Sequence, residues 1–521
     1  MSDQLFTNNQ KTDDKFETLL NNANAARVVS QTIEGTLGPK GLDIMMVDNF
    51  GDVVITNDGV TILRLMEVNH PAAHMIINAA KAQQLEIGDG TTTTTIMAGA
   101  LVAEGCQQAL KGVPVTRIIE GINLGIKKAA ELVENYSTPL GENDYDLLYN
   151  VALVAGRGHA DLAHLIVDGA RVIGGKKLLN PDYKFADTVF AREFAGNELI
   201  KGVILNKEPV NKEMPTELDK VKILVIDDKL SPEELDNEAL KTEMGFNYYL
   251  QAKEKYEDNL KKLKKLGVNL VVIDRAMDDM AEDFFTQTGI IALHRVSSRE
   301  IEALCKYTGA KKIKRSSLNH SEDTIASYLG MADKIRIDEK LEHTIIYGGQ
   351  AGNWVTIMIG AATGEVVDEK ERMAKDAAAA VQAALCGGIV PGGGSLEIWI
   401  SNELEELAKN YDGMTSFGVT CVKEAITRPF ACMVENAGFN PLEKQADVTA
   451  NQKKQGSYFI GLDCETGQIS NMMDLGIVDA TPVKLHAIAA AGEVAIAILR
   501  INTIIRMKSL DSIDNNFVTQ E

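Results

Sequence analysis

The pattern of apolar positions divides this chain into two helical flanks around a strand-rich middle. From Lys15 to about residue 134, apolar residues recur at three- and four-residue steps between glycine breaks, with alanine-rich stretches at 71–86 and after Gly90. That spacing predicts helices. A second such region runs from Glu369 onward and carries DAAAAVQAAL and LHAIAAAGEVAIAILRINTIIR. Between about residues 202 and 362 the pattern shortens to β-branched runs: KILVID at 222–227, NLVVID at 269–274 and IIALHRV at 290–296. Helical stretches separate them, so an α/β unit is predicted to interrupt the helical flanks.

Within the middle, Tyr249, Ala252, Tyr256, Leu260, Leu263 and Leu266 recur at helical spacing with Lys and Glu between them, which marks an amphipathic helix. It follows the polar segment SPEELDNEALKTEMGFNY. Two arrangements fit: a helix packed on its sheet throughout, or one whose beginning projects into solvent with Met244, Phe246 and Tyr248 as a contact tip.

A length of 521 residues exceeds what one core supports, since single cores stop growing at about 250 to 300 residues. Two to four domains are expected. The net charge of −21 excludes a general nucleic-acid binder, which needs a basic footprint, so any phosphate site must be local. Residues 1–16 lack the basic start and apolar run of a secretory signal. No window approaches the roughly 18 uninterrupted apolar residues of a membrane span. A cytoplasmic protein without membrane partners is expected. Cys106, Cys305, Cys386, Cys421, Cys432 and Cys464 are scattered and contain no CxxC pair, so they read as reduced thiols.

The strongest chemical signal is GDGTTTTT at 88–95, between two helical patterns. Glycines admit a phosphate close to the backbone, a helix N-terminus offers N–H donors, and threonine hydroxyls add more. Asp89 is unfavourable beside bare phosphate and sensible as a Mg²⁺ ligand. The competing assignment is an Asp-Gly turn with threonines capping a helix. TLGPKG at 36–41, NDG at 57–59 and VPGGG at 390–394 are further glycine loops, each ordinary turn chemistry alone. None matches the P-loop or the Rossmann fingerprint. Asp376, four residues after Arg372, fits either a helical ion pair or a carboxylate that deprotonates water in phosphoryl transfer.

In their order and spacing, TLGPKG, NDG, GDGTTTTT, ERMAKDA, VPGGG and GIVDATPV resemble the chaperonin family along essentially the whole chain. DVVITNDGVTIL, HPAAHMIINAAKAQQLEIGDGTTTTT and GEVVDEKERMAKDA resemble the group II branch, the thermosomes and eukaryotic cytosolic chaperonins. DAAAAVQAALCGGIVPGGG and NMMDLGIVD are similar to bacterial group I chains, which points to an archaeal or bacterial member with one subunit type.

The resemblance implies a multi-domain chaperonin fold. Its parts would be a mostly α-helical equatorial ATPase domain (1–138 and 388–521), a small α/β intermediate domain (139–201 and 355–387) and an α/β apical domain (202–354). A helical protrusion at about 230–256 would serve as a lid, which favours the projecting tip.

It further implies that Thr36, Leu37, Gly38 and Pro39 wrap the phosphates of ATP. Gly88, Asp89, Gly90, Thr91, Thr92 and Thr93 would bind phosphate and metal, with Asp89 on Mg²⁺. Gly393 and Asp479 would contact the nucleoside, and Asp463 and Glu465 would lie near the base. Asp58 and Asp376 would act around the attacking water. Arg157, in AGRGH, stands where many group II chains carry a lysine near the γ-phosphate, and a guanidinium changes that geometry.

The implied function is ATP-driven folding of non-native polypeptides in a double ring, with eight subunits per ring as the family expectation. The alternative is a holdase or scaffold without turnover, against which Asp58, Asp89 and Asp376 count. A small-molecule kinase is a more distant third.

Overall fold

The two helical flanks fold into one unit, Met1–Ala163 with Lys375–Glu521, and the chain between them, His164–Ala374, forms a second. The structure, a computed structural model, describes residues 13–141, 143–233, 242–411 and 413–505.

In the first unit, helices Asp13–Glu34, Pro71–Glu86, Thr91–Leu110 and Val115–Asn135 come from the early flank. They share a core with Thr415–Asn436 and Thr481–Leu499 from the late one. Small residues bring the flanks close: a Cβ built on Gly121 would lie 2.6 Å from the Cα of Gly418. Ile33, Ile76, Ile118 and Ile122 are fully buried at the centre, each contributing about 1.5–3 kcal/mol by leaving water.

Among the described residues, Thr481–Leu499 is the one helix long and apolar enough to cross a membrane. Ala487, Ala491, Ala495 and Ile498 instead line the unit's core, so its apolarity is that of an interior helix. Strands Ile44–Val47 and Val53–Thr56 form a two-stranded antiparallel hairpin. Met45, Val47 and Phe50 on it are exposed, Phe50 by 93%.

The β-branched runs of the middle become a seven-stranded sheet. Glu217–Ile226, Leu270–Ile273 and Ile291–Leu293 run parallel, with Val225 opposite Val272 and Val272 opposite Leu293. Gly330–Asp338, His343–Tyr347 and Gly202–Leu205 extend the other edge antiparallel, and Lys312–Ile313 also pairs with Glu217–Ile226. Leu270–Ile273 is buried at every position, as a strand covered on both faces must be. A separate three-stranded sheet places Thr356–Ala361 between Val189–Glu193 and Glu198–Ile200.

The amphipathic pattern forms the helix Glu243–Lys265. It is not packed throughout: its later turns are buried and its beginning is open to solvent. Tyr256, Leu260 and Leu263 are buried in the second unit's core, whereas Met244 is 84% exposed and Tyr248 and Leu250 are also open to solvent. Residues 234–241 and the side chain of Phe246 lie outside the described residues. Leu230 is fully buried in the same core as Tyr256, so both ends of the segment 230–256 are structural.

Candidate active site

The threonine run opens the helix Thr91–Leu110 behind Gly90, whose φ of +81° puts it in the left-handed region that favours glycine. No side chain caps the helix, so its first N–H groups stay available. The threonines divide by task. Thr94 and Thr95 are buried and donate back to the carbonyls of Gly90 and Thr91, each at 2.9 Å. The hydroxyls of Thr92 and Thr93 make no intramolecular hydrogen bond among the described residues.

Asp89 accepts from the Gly90 N–H at 2.6 Å. Burial raises its pKa to about 6, opposed by the Gly90 hydrogen bond; Asp479 raises it further, and Arg157 and Lys484 pull it down. Among the described residues no cluster of three or more His, Cys, Asp or Glu forms a metal cage. One carboxylate beside uncapped donors fits Mg²⁺, which takes one or two carboxylates together with phosphate oxygens.

Two other sequence motifs meet this loop. A Cβ on Gly59 would overlap the Thr92 side chain, so the NDG turn abuts the threonine helix directly. Asp58 is buried and caps the helix Gly59–Leu65: one carboxylate oxygen accepts from Val60 N–H at 3.3 Å, the other from Thr61 N–H at 3.1 Å and the Thr61 hydroxyl at 2.6 Å.

A Cβ on Gly88 would lie 2.6 Å from that of Ala379. This brings the loop against the helix Gly364–Gly387, which carries Asp376, a partly buried carboxylate. On the same helix Arg372 donates to Glu369 at 2.9 Å. Exposed Arg157 sits between two glycines with φ of +55° and exerts a field on Asp89.

The TLGPKG loop is held by Asn436, which donates to the carbonyls of Glu34 and Leu37 at 2.8 and 2.9 Å. Thr36 is buried with its hydroxyl on the Ile33 carbonyl at 2.9 Å, Leu37 is half-buried, and Gly38 and Pro39 are exposed. Lys40 reaches Glu465 at 2.8 Å and so ties this loop to the DCET turn. Asp463 shapes that turn, accepting from Glu465 N–H at 2.9 Å and the Thr466 hydroxyl at 2.7 Å. The Thr466 bond chiefly holds its carboxyl below the usual carboxylate range.

In the VPGGG segment, strand Ile389–Pro391 pairs antiparallel with Val478–Ala480, setting Val390 opposite Asp479. Gly393 lies beside Met472 and Ile477.

Two site residues escaped sequence reading. Lys484 contacts Asp479 at 2.8 Å and also pairs with buried Glu397. A lysine near the start of an apolar helix reads as a solvent anchor, and Glu397 as an ordinary first-turn acid. Only their position relative to Asp479 distinguishes them.

Compared with known families, residues 29–509 match the TCP-1/cpn60 chaperonin family. The chain is 34% identical over 508 residues to a thermosome subunit of Pyrococcus abyssi, covering 94% of this chain and 90% of that protein. It is likewise 34% identical to the thermosome subunit beta of Archaeoglobus fulgidus, covering 94% and 92%. Among solved structures, a group III chaperonin in the open state superposes with a TM-score of 0.86 at 44% identity, covering 95% of this chain and all of that one.

Proposed function

Because the chain belongs to the TCP-1/cpn60 chaperonin family, we propose that it hydrolyses ATP with Mg²⁺ and uses the cycle to enclose and release non-native polypeptides. The observation that carries this reading is the convergence at the start of the threonine helix. There an uncapped helix N-terminus, two unengaged hydroxyls and Asp89 meet the NDG turn and the Asp376 helix.

The first N–H groups of the helix and the hydroxyls of Thr92 and Thr93 would donate to phosphate oxygens. Gly38 and Pro39, exposed on the TLGPKG loop, would wrap the same phosphates. Asp89 would hold Mg²⁺, whose charge would offset that of the phosphates.

Asp376 is assigned the proton of the attacking water. Asp58 is given orientation of that water, since helix capping already engages both of its oxygens. Arg157 would complement charge developing on the transferred group.

Self-association into rings is supported by the Ile44–Thr56 hairpin, since a two-stranded ribbon exposing Met45, Val47 and Phe50 is marginal alone and suits burial against a neighbour. Stacked rings of eight, a cytoplasmic setting and a lid built on the solvent-facing start of helix Glu243–Lys265 complete the proposal.

The test is Mg²⁺-dependent ATP hydrolysis by the purified chain and by Asp376→Ala, with particle size measured on the same samples. Turnover in a ring-sized particle, reduced about 10²–10⁴-fold in the variant while nucleotide still binds, is the expected result. Absence of turnover in the unaltered ring would leave a passive holdase.

A further inference from the structure

Lys484 is only 13% exposed on its side chain and stands between two carboxylates, Glu397 at 8% and Asp479 at 27%. Burial alone would drive the amine toward its neutral form, but the fields of Asp479 and Glu397 outweigh it and hold the pKa above the ordinary lysine value. The lysine therefore carries its charge inside the fold.

The amine meets Oδ2 of Asp479 at 2.8 Å, and the same oxygen lies against Gly392, where a built Cβ would come within 3.1 Å. The Asp479 backbone is pinned by pairing with Val390. One oxygen is thus clamped, and Oδ1 has no hydrogen-bond partner among the described residues.

Glu397 supplies an independent observation. Its Oε2 is buried without a partner, which costs stability. An apolar pair of similar volume would hold two elements together at least as well as a buried ion pair. An arrangement that tolerates that cost is understandable where the charge has another task.

We propose that Lys484 is the positioning residue of the nucleoside subsite: by clamping one oxygen of Asp479 it aims the other at the ribose hydroxyls, without touching nucleotide itself. The inference rests on the ATP reading above. Gln83 Nε2 bridges the carbonyls of Asp89 and Val483, and a Cβ on Gly90 would lie 2.7 Å from the Val483 side chain, so the turn Asp479–Lys484 lies against the loop of Asp89; in a nucleotide the sugar is the group next to the phosphates. An ionised carboxylate only accepts hydrogen bonds, so it suits a vicinal diol, as an acidic residue does in dinucleotide folds.

The experiment titrates the full-length protein, in Mg²⁺, with ATP and with 2′,3′-dideoxy-ATP, and compares the ratio of the two dissociation constants between variants. The unaltered protein is expected to prefer ATP at least about tenfold, the order of one or two well-placed hydrogen bonds to a charged group. Lys484→Met with Glu397→Met, which removes both charges together, is expected to bring the ratio near unity while binding of the dideoxy analogue persists. Lys484→Met with Glu397→Gln, which still removes the donor to Asp479 and the charge at 397, is the second variant should the first fail to fold, and the same collapse is expected.

Retention of the preference in a folded variant would overturn the inference. So would an equal loss of affinity for both nucleotides, which marks a merely structural role. If the unaltered protein binds neither nucleotide, the ATP reading falls and takes this inference with it. If it binds both without preference, only the sugar assignment falls.

Discussion

The side-chain nitrogen of Gln83 donates to the backbone carbonyl of Asp89 at 2.7 Å, so a fully buried amide on one helix fixes the loop that opens the next. The same nitrogen reaches the Val483 carbonyl at 3.3 Å, and the amide oxygen meets Nδ1 of His486 at 2.5 Å. One side chain thereby joins the Gly88–Gly90 loop to the late helical flank. Gln83→Leu keeps the volume and deprives both carbonyls of their donor. The expected cost is about 1–3 kcal/mol of stability, with weaker Mg-ATP binding. Chemical denaturation and nucleotide titration read both, and an unchanged midpoint would show that the loop stands without this tie.

The Ile44–Thr56 hairpin exposes apolar side chains where a monomer has no use for them. Met45→Lys with Val47→Lys is expected to leave the subunit folded while converting ring-sized particles to monomers, because buried unpaired lysines oppose an apolar interface. Sedimentation velocity alongside circular dichroism separates assembly from folding. Intact rings in the double variant would move the interface elsewhere.

A lid deletion must respect the core. Leu230 and Tyr256 are buried, and the backbone of Leu230 bonds Ala276 and Asp278, each at 3.0 Å, so removing all of 230–256 would damage the sheet unit. Replacing 234–250 by a short Gly/Ser linker spares those residues. ATP turnover is expected to survive, and protection of an enclosed client from protease to be lost. Continued protection would exclude this segment as the lid.

His343 is fully buried, edge-to-face with Phe190 at a centroid distance of 6.0 Å. Burial is the main force pushing its imidazole below the ordinary value, with Asp338 and Glu198 pulling upward and Arg192 pushing down. The unfolded chain therefore binds this proton more readily than the fold. Its contribution is present above an unfolded imidazole pKa of about 6.5 and is lost as pH falls below it. The unaltered chain is expected to lose more stability than His343→Phe between about pH 7.5 and pH 5. Parallel acid profiles would show that the fold binds this proton as readily as the unfolded chain.

Legibility in the sequence followed the range of the interaction. GDGTTTTT could be read because helix start and hydroxyl donors are local, and a helix does begin within that motif, at Thr91. The strands of KILVID and NLVVID were legible because a fully buried strand needs an unbroken apolar run. Asp479 came only through family resemblance, since a single acid before a helix carries no local signal. Lys484 and Glu397 were not legible at all: they are 87 positions apart, and each looks ordinary alone.

By itself, then, the sequence determined the periodic elements, the nested order of flanks and middle, and the phosphate-type loops, because those depend on neighbours within a few residues. Tertiary structure alone decided which part of helix Glu243–Lys265 is buried and that Lys484 stands on Asp479. Only the fold, likewise, sets Gly88 against the Asp376 helix. Periodicity says that a face is apolar and a motif that a loop can bind. Which face meets which is set by close packing of residues far apart in the chain, and that packing also determines the burial and fields that make a carboxylate or an amine chemically distinct.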